Sequence, residues 1–317
     1  MNQQETKDLY NQVYKMGKTS VSYSQYNMFK RCPKQWQLQY LEKKGKWNPT
    51  IYNVFGNAMH ECIQLFLETM YTETVKKAES MEWPSILAES MKKEYSAEVK
   101  KNSGEHFSSR EELTEFCNQG IAILEEFRKR RGKYFTKKKT ELIGIELPVL
   151  AEVDTNPNVV LIGFMDLVLR EHDKIKIIDI KTATTGWNDY KKKQEGDQLR
   201  LYKKYSSKQF KRIFPTMTLN EIEKDIEVEY FILKRKIWED SDFPQRRIQT
   251  YTPPNGKPSI NKTAKNFNAF ISEAFDSNGK KIVKDYKAVS GPGGNNCRFC
   301  PFKEDYDLCP KENRKLV

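Results

Sequence analysis

The 317 residues carry 55 Lys and Arg against 43 Asp and Glu, a formal charge of +12. No run approaches the roughly 18–20 unbroken apolar residues a membrane-spanning helix needs, and the opening MNQQETKDLYNQVYK lacks the apolar core of a secretory signal. With 17 Phe, 16 Tyr and 5 Trp the chain is too aromatic for wholesale disorder; the expectation is a cytoplasmic protein, one large domain or a core with an inserted subdomain.

Residues 1–18 read as a polar leader. Gly17-Lys18-Thr19 looks like the end of a phosphate-binding loop, but that motif needs Gly where Gln12 stands. Residues 19–56 read as an N-terminal helical segment. Ser22 or Ser24 can cap a helix reaching Tyr40, with Cys32-Pro33 inside it or between two short helices. A helical block spans 57–135. Over 57–72, Met59, Cys62, Ile63, Phe66, Leu67 and Met70 form one stripe, and further helices over 84–131 break around Asn102-Ser103-Gly104.

The pattern then turns to alternation. Strands are expected over 141–150, 159–170 and 174–182, with a turn at Glu171-His172-Asp173. A long helix over 187–210, strands over 226–236 and 246–252 and a helix over 260–275 complete a core at 136–275. A β-β-β-α-β run flanked by helices is an α/β fold with a mixed sheet. The segment 276–317 is loop-rich and delivers three cysteines.

The charge points to a polyanionic partner, nucleic acid first, because neutralising phosphates releases counterions. Arg128-Lys129-Arg130-Arg131, Lys137-Lys138-Lys139, Lys191-Lys192-Lys193 and Lys234-Arg235-Lys236 lie near Tyr134, Phe135, Trp187, Tyr190 and Trp238, rings on which bases can stack. The bland alternative is that each run is a solvated helix face.

Asp179 and Lys181 share one face of their strand, and a hairpin with the preceding strand could bring Asp166 close to Asp179. Adjacent carboxylates repel unless a cation neutralises them. Mg²⁺ or Mn²⁺, which prefer oxygen ligands, are the natural choice. Gln198 and Tyr202, four apart, share a helix face. His60 lies at the edge of the apolar stripe, four residues before Gln64 on its polar side. Taken alone His60 reads as a half-buried structural histidine. Cys297-x-x-Cys300 with Cys309 is a ligand-like cluster needing a fourth donor. Cys62 and Cys117 read as small core residues.

In order, Gly56-x-x-x-His60, Gly163-Phe164-Met165-Asp166, Asp179-Ile180-Lys181 and Gln198-Leu199-x-x-Tyr202 resemble the RecB-type nucleases of the PD-(D/E)XK superfamily. The resemblance covers 56–202, and the cysteines extend it to 32–309. It implies a restriction-endonuclease-like core in which His60, Asp166, Asp179 and the Ile180 carbonyl bind the metal. Lys181 would act at the scissile phosphate, and Gln198 and Tyr202 would shape the site and contact DNA. Glu146 is either a second acidic ligand or an exposed strand residue, the latter favoured.

The cysteine pattern is similar to the iron–sulfur members, such as the CRISPR-associated adaptation exonuclease and the AddB nuclease domain. In these one Cys precedes the His motif and three follow the Gln/Tyr motif. Cys32, Cys297, Cys300 and Cys309 would then hold a 4Fe–4S cluster, with zinc the alternative, stapling the chain ends. The eight residues between Cys300 and Cys309 exceed the family's usual spacing, which leaves the last ligand open. The implied activity is metal-dependent exonucleolysis of single-stranded DNA ends, in recombination, repair or phage DNA metabolism, with a possible helicase or recombination partner. A structure-selective endonuclease and a non-catalytic DNA-binding scaffold are the alternatives. The helical block, with its basic flank at 128–139, could wall a channel for single strands.

Overall fold

The computed structural model describes residue 8 and residues 11–45, 48–172, 174–238 and 241–315. Most of the first half of the predicted leader, and Asp173 of the predicted turn, lie outside them. Strand β1 (Thr19–Ser22) leads into helices α1 (Tyr23–Arg31) and α2 (Pro33–Trp36), continued by a π-helical turn over Gln37–Leu41. Helices α3 (Ile51–Thr72), α4 (Val75–Ser80), α5 (Trp83–Lys101) and α6 (Arg110–Tyr134) follow. Then come strands β2 (Thr140–Val153), β3 (Asn156–Glu171) and β4 (Lys174–Ala183) and helices α7 (Asp189–Gln194), α8 (Asp197–Phe210) and α9 (Leu219–Asp225). Strands β5 (Ile226–Lys234) and β6 (Ile248–Tyr251), helix α10 (Lys257–Ala274), strand β7 (Ala288–Val289), helix α11 (Asn295–Arg298) and strand β8 (Arg314–Lys315) complete the order. No helix among the described residues is long and apolar enough to cross a membrane.

The chain divides into two units. One comprises Met1–Trp47, Pro148–Gly163 and Ile260–Val317; the other comprises Asn48–Leu147 and Phe164–Ser259. In the first, β1 pairs in parallel with the opening half of β3, from Thr19↔Val159 to Ser22↔Ile162. Ser22 also caps α1, accepting from the Gln25 N–H. The core of this unit is aromatic. Phe29 and Phe270 have ring centroids 4.8 Å apart, Tyr26 and Phe267 5.4 Å, Trp36 and Tyr286 5.4 Å, mostly edge to face or tilted. Residues near both ends of the chain thus meet through buried rings, a geometry that adds about 0.5–1.5 kcal/mol per pair beyond area burial.

In the second unit the closing half of β3 runs antiparallel to β4, β4 parallel to β5, and β5 antiparallel to β6, a mixed sheet. Alternation sends Leu167, Leu169, Ile178, Ile180, Phe231 and Leu233 into one buried cluster with the apolar stripe of α3 and residues of α5 and α6. The other face of β3 and β4 carries Asp166, Asp179 and Lys181, and α8 packs on β4 and β5.

The helix predicted over 57–72 begins earlier, at Ile51. Thr50 caps it, and Ile51, Val54 and Phe55 extend the stripe by a turn and a half. Gly56 is therefore inside the helix. A Cβ there would meet the Thr182 Oγ1 at 3.3 Å, so the missing side chain lets α3 lie close on the end of β4. The predicted helix over 187–210 is two helices, parted where Gly196 takes φ +121°. Four-residue β1 escapes sequence reading because it is too short to show a period of two.

Gly196 precedes the helix that carries Gln198 and Tyr202. A Cβ on it would lie 2.8 Å from the Arg200 guanidinium and 2.9 Å from Pro253, in a backbone region side chains avoid. Gly196→Ala should cost about 1–3 kcal/mol, read as a lower melting temperature. Gly256→Ala, where the nearest atom is 3.9 Å away, should change little. Equal melting temperatures for the two variants would contradict this assignment.

Candidate active site

Continuing the β3–β4 register one pair beyond Leu167↔Ile178 sets Asp166 opposite Asp179. Asp166 Oδ2 accepts the Ile180 N–H at 2.7 Å and lies 3.6 Å from His60 Nδ1. His60 comes from α3, four residues past Gly56, and also hydrogen-bonds the Ile180 backbone. The expected hairpin thus brings His60, Asp166, Asp179 and Ile180 together.

Glu146 joins them, where the sequence reading favoured an exposed strand residue. Its carboxylate, a nitrogen of His60 and a carboxylate oxygen of Asp166 all lie within 4.8 Å of one another. Glu146 has a left-handed backbone, φ +49°, inside β2. That conformation interrupts the alternation on which a face assignment rests. Gln64, read from sequence as the polar side of the stripe, is buried instead. Its amide donates to Glu146 Oε1 at 2.7 Å and to the Asp166 carbonyl at 3.2 Å, tying the two acids to α3. The one available signal was its position four residues after His60, on the same helix face.

Asp179 is 1% exposed, and neither of its oxygens has an aligned hydrogen bond. The Lys181 ammonium stands 2.5 Å from its Oδ2. Tyr202 is buried, with its hydroxyl 3.3 Å from the Gln198 amide. It is also close enough to Asp179 and Lys181 for their charges to act on it.

Burial raises both acids, Asp166 to about 7 and Asp179 to about 6, against the pull of Lys181. Burial also opposes the Lys181 charge, but Asp179 and Asp166 outweigh it and hold the ammonium above the usual lysine value. His60 is pushed down, first by burial and then by Lys181, so its imidazole is neutral. A neutral imidazole among buried carboxylates is a donor set that suits a divalent cation of the Mg²⁺ or Mn²⁺ type.

The four cysteines also converge. Cys32, Cys297, Cys300 and Cys309 line one pocket with Leu38, Val289 and Phe302. All are free thiols. Val289 donates its N–H to Cys32 Sγ at 3.3 Å, and the Phe302 backbone hydrogen-bonds Cys300. Cys62 is a core residue as expected, its thiol pushed up to about 12 by burial.

The basic runs divide. Arg128 donates to the Glu79 carbonyl and Arg131 to the Glu79 carboxylate, so the two brace α4, and Lys137 donates to the Glu73 carbonyl at the end of α3. Lys129, Lys133, Lys138 and Lys139 are exposed. Lys191 lies 5.7 Å over the Trp187 ring.

A carboxyl whose folded pKa is raised favours folding fully below its unfolded value and loses that contribution as pH rises through the folded one. Without metal the protein should therefore lose stability as pH climbs from about 4, the ordinary carboxyl value, until about 6–7, where Asp179 and Asp166 themselves ionise. Mn²⁺ should raise the melting temperature far more at about pH 8 than at about pH 5.5, because its carboxylate ligands must be deprotonated. Asp166→Asn should abolish the Mn²⁺ shift and stabilise the metal-free protein at the higher pH. A Mn²⁺ shift equal at both pH values would contradict the assignment.

Residues 20–309 match the family described as the PD-(D/E)XK nuclease superfamily. No curated protein matches the chain. Among solved structures, the one titled "Crystal structure of SSO0001" aligns over 89% of this chain and 96% of its own at 12% identity. Its TM-score is 0.29, a likeness too distant to bear on the site. With the family matched over most of its length, and a mixed α/β sheet carrying grouped carboxylates, histidine and lysine, the chain belongs to the PD-(D/E)XK nuclease superfamily of metal-dependent nucleases.

Proposed function

We propose that the protein is a divalent-metal-dependent exonuclease acting on single-stranded DNA ends, in recombination, repair or phage DNA metabolism. The observation that carries its metal-dependent nuclease chemistry is the convergence of His60, Glu146 and Asp166 within 4.8 Å, beside the Asp179–Lys181 pair; the preference for single-stranded ends follows from the family resemblance of the motifs. His60, Glu146, Asp166 and Asp179 hold the ion, with the Ile180 carbonyl at the same point of β4. The ion, when bound, polarises the phosphodiester and lowers the pKa of water. Glu146 is added to the expected ligand set on geometry.

The chain's own residues do the rest. Lys181 positions the attacking water or stabilises negative charge developing on the phosphate. Asp179 aims that ammonium from 2.5 Å. Gln198 and Tyr202 close the α8 side of the site, where the hydroxyl and amide can bind a phosphate oxygen or a base edge. Gln64 holds Glu146 and Asp166 in place, a positioning role. Exposed Lys129, Lys133, Lys138 and Lys139 supply the attraction for the strand.

In the first unit, the four thiols hold a 4Fe–4S cluster. Support comes from the all-thiol donor set gathered around one pocket. The cluster is structural and supplements the aromatic contacts that already join residues near the chain ends.

End-labelled and covalently closed single strands, with Mn²⁺ and anaerobically purified protein, test the reading. Wild type should shorten the linear strands and spare the circle. Lys181→Ala should lose about a hundred-fold or more of the rate. Cutting of the circle would establish an endonuclease, and no cutting by cluster-loaded wild type would leave a scaffold. The protein should also purify brown, with iron and sulfide, and Cys32→Ala should lose both and melt earlier. A colourless protein carrying zinc would overturn the cluster.

A further inference from the structure

The cysteine pocket contains a polar group that its protein surroundings do not explain. Arg314 lines the pocket with the four thiols. Its Nε–H is buried and has no hydrogen-bond partner. An orphaned donor of this kind is costly, the more so when the group is charged. The rest of the guanidinium is well held. Nη2 donates to the Lys303 carbonyl at 2.6 Å and to the Cys309 carbonyl at 2.8 Å. The backbone of Arg314 is fixed by the β7–β8 pairing, opposite Ala288.

The two carbonyls it clasps belong to the long connection between Cys300 and Cys309. That connection is otherwise braced by short-range bonds, Cys309 N–H to the Asp305 carbonyl at 2.9 Å and Leu308 N–H to Asp305 Oδ1 at 3.1 Å. Arg314 gathers its two halves and brings its last residue to the pocket. The eight intervening residues therefore do not remove Cys309 from the ligand set. The guanidinium's fork can bind two carbonyls and still present a third N–H, which Lys cannot reproduce.

We propose that Arg314 is the positioning residue of the iron–sulfur site: it clamps the Cys300–Cys309 loop so that Cys309 can ligate, and it gives its buried Nε–H and positive charge to the cluster. This rests on the cluster reading above. Four thiolates make the cluster anionic, and the sulfur atoms are the acceptors the orphaned donor lacks. A cation and an N–H beside cluster sulfur raise the reduction potential, because the reduced form carries one more negative charge. Val289 and Phe302 supply backbone hydrogen bonds to Cys32 and Cys300; Arg314 adds the side-chain charge.

The test compares wild type, Arg314→Ala and Arg314→Lys, each purified anaerobically as the full chain. Iron and sulfide content, the midpoint potential by dye-mediated titration followed by EPR, and the rate of iron loss to a chelator are measured. Arg314→Ala should bind iron but have a lower potential and lose iron about ten-fold faster or more. Arg314→Lys should recover much of the potential, through its charge, and little of the retention, lacking the two-carbonyl clamp. Potential and retention equal to wild type in Arg314→Ala would overturn the proposal while leaving the cluster reading intact. Wild type free of iron and sulfide would overturn both. If Arg314→Ala yields no loaded protein, Arg314→Lys decides: retention equal to wild type overturns the clamp, and accelerated loss supports it.

Discussion

Two carboxylates facing each other across a buried strand pair are the constraint around which the second unit is organised. Asp166 and Asp179 sit on the same face of β3 and β4, shielded from water, and burial alone pushes both toward the neutral form. Lys181 offsets part of the charge from one side and the Ile180 N–H part from another. That leaves buried oxygens on Asp179 with no aligned donor. A fold that merely needed stability would place apolar residues there, as it does on the opposite face with Ile178 and Ile180. Retaining acids at this point makes sense for a site completed by a cation.

Other features of the unit serve that arrangement. Gly56 lets α3 approach Thr182, and one turn later the same helix delivers His60 and then Gln64. The break at Gly196 starts α8 afresh, and that helix brings Tyr202, with the Gln198 amide on its hydroxyl, near the Asp179–Lys181 pair.

Much of this was legible in the sequence, for reasons that can be stated. Asp166, Asp179 and Lys181 fall on strands whose alternation is regular, so period-two reasoning places them on one face. His60, Gln198 and Tyr202 fall on helices, where spacings of four fix the face. Glu146 was not legible, because its left-handed backbone breaks the alternation of β2. Gln64 was visible as a helix neighbour of His60, but whether it meets solvent or an acid depends on a strand 82 residues later. The basic run at Arg128–Arg131 shows the opposite limit: charge pattern suggested nucleic acid, yet Arg128 and Arg131 turn to Glu79. Spacing cannot tell a phosphate from a carbonyl as the acceptor. In the first unit, the join between residues near the chain ends was expected from cysteines; the contacts on the page are aromatic, those of Tyr26, Phe29 and Trp36.

The account's central claim is that the buried acids exist to hold a divalent cation. Crystals grown with Mn²⁺ and measured on both sides of the manganese absorption edge address it directly. An anomalous peak enclosed by His60, Glu146, Asp166 and Asp179, absent from crystals of Asp166→Asn, is the expected result. Manganese bound elsewhere, with those side chains undisturbed and the carboxyl oxygens of Asp166 and Asp179 sharing a proton, would contradict it.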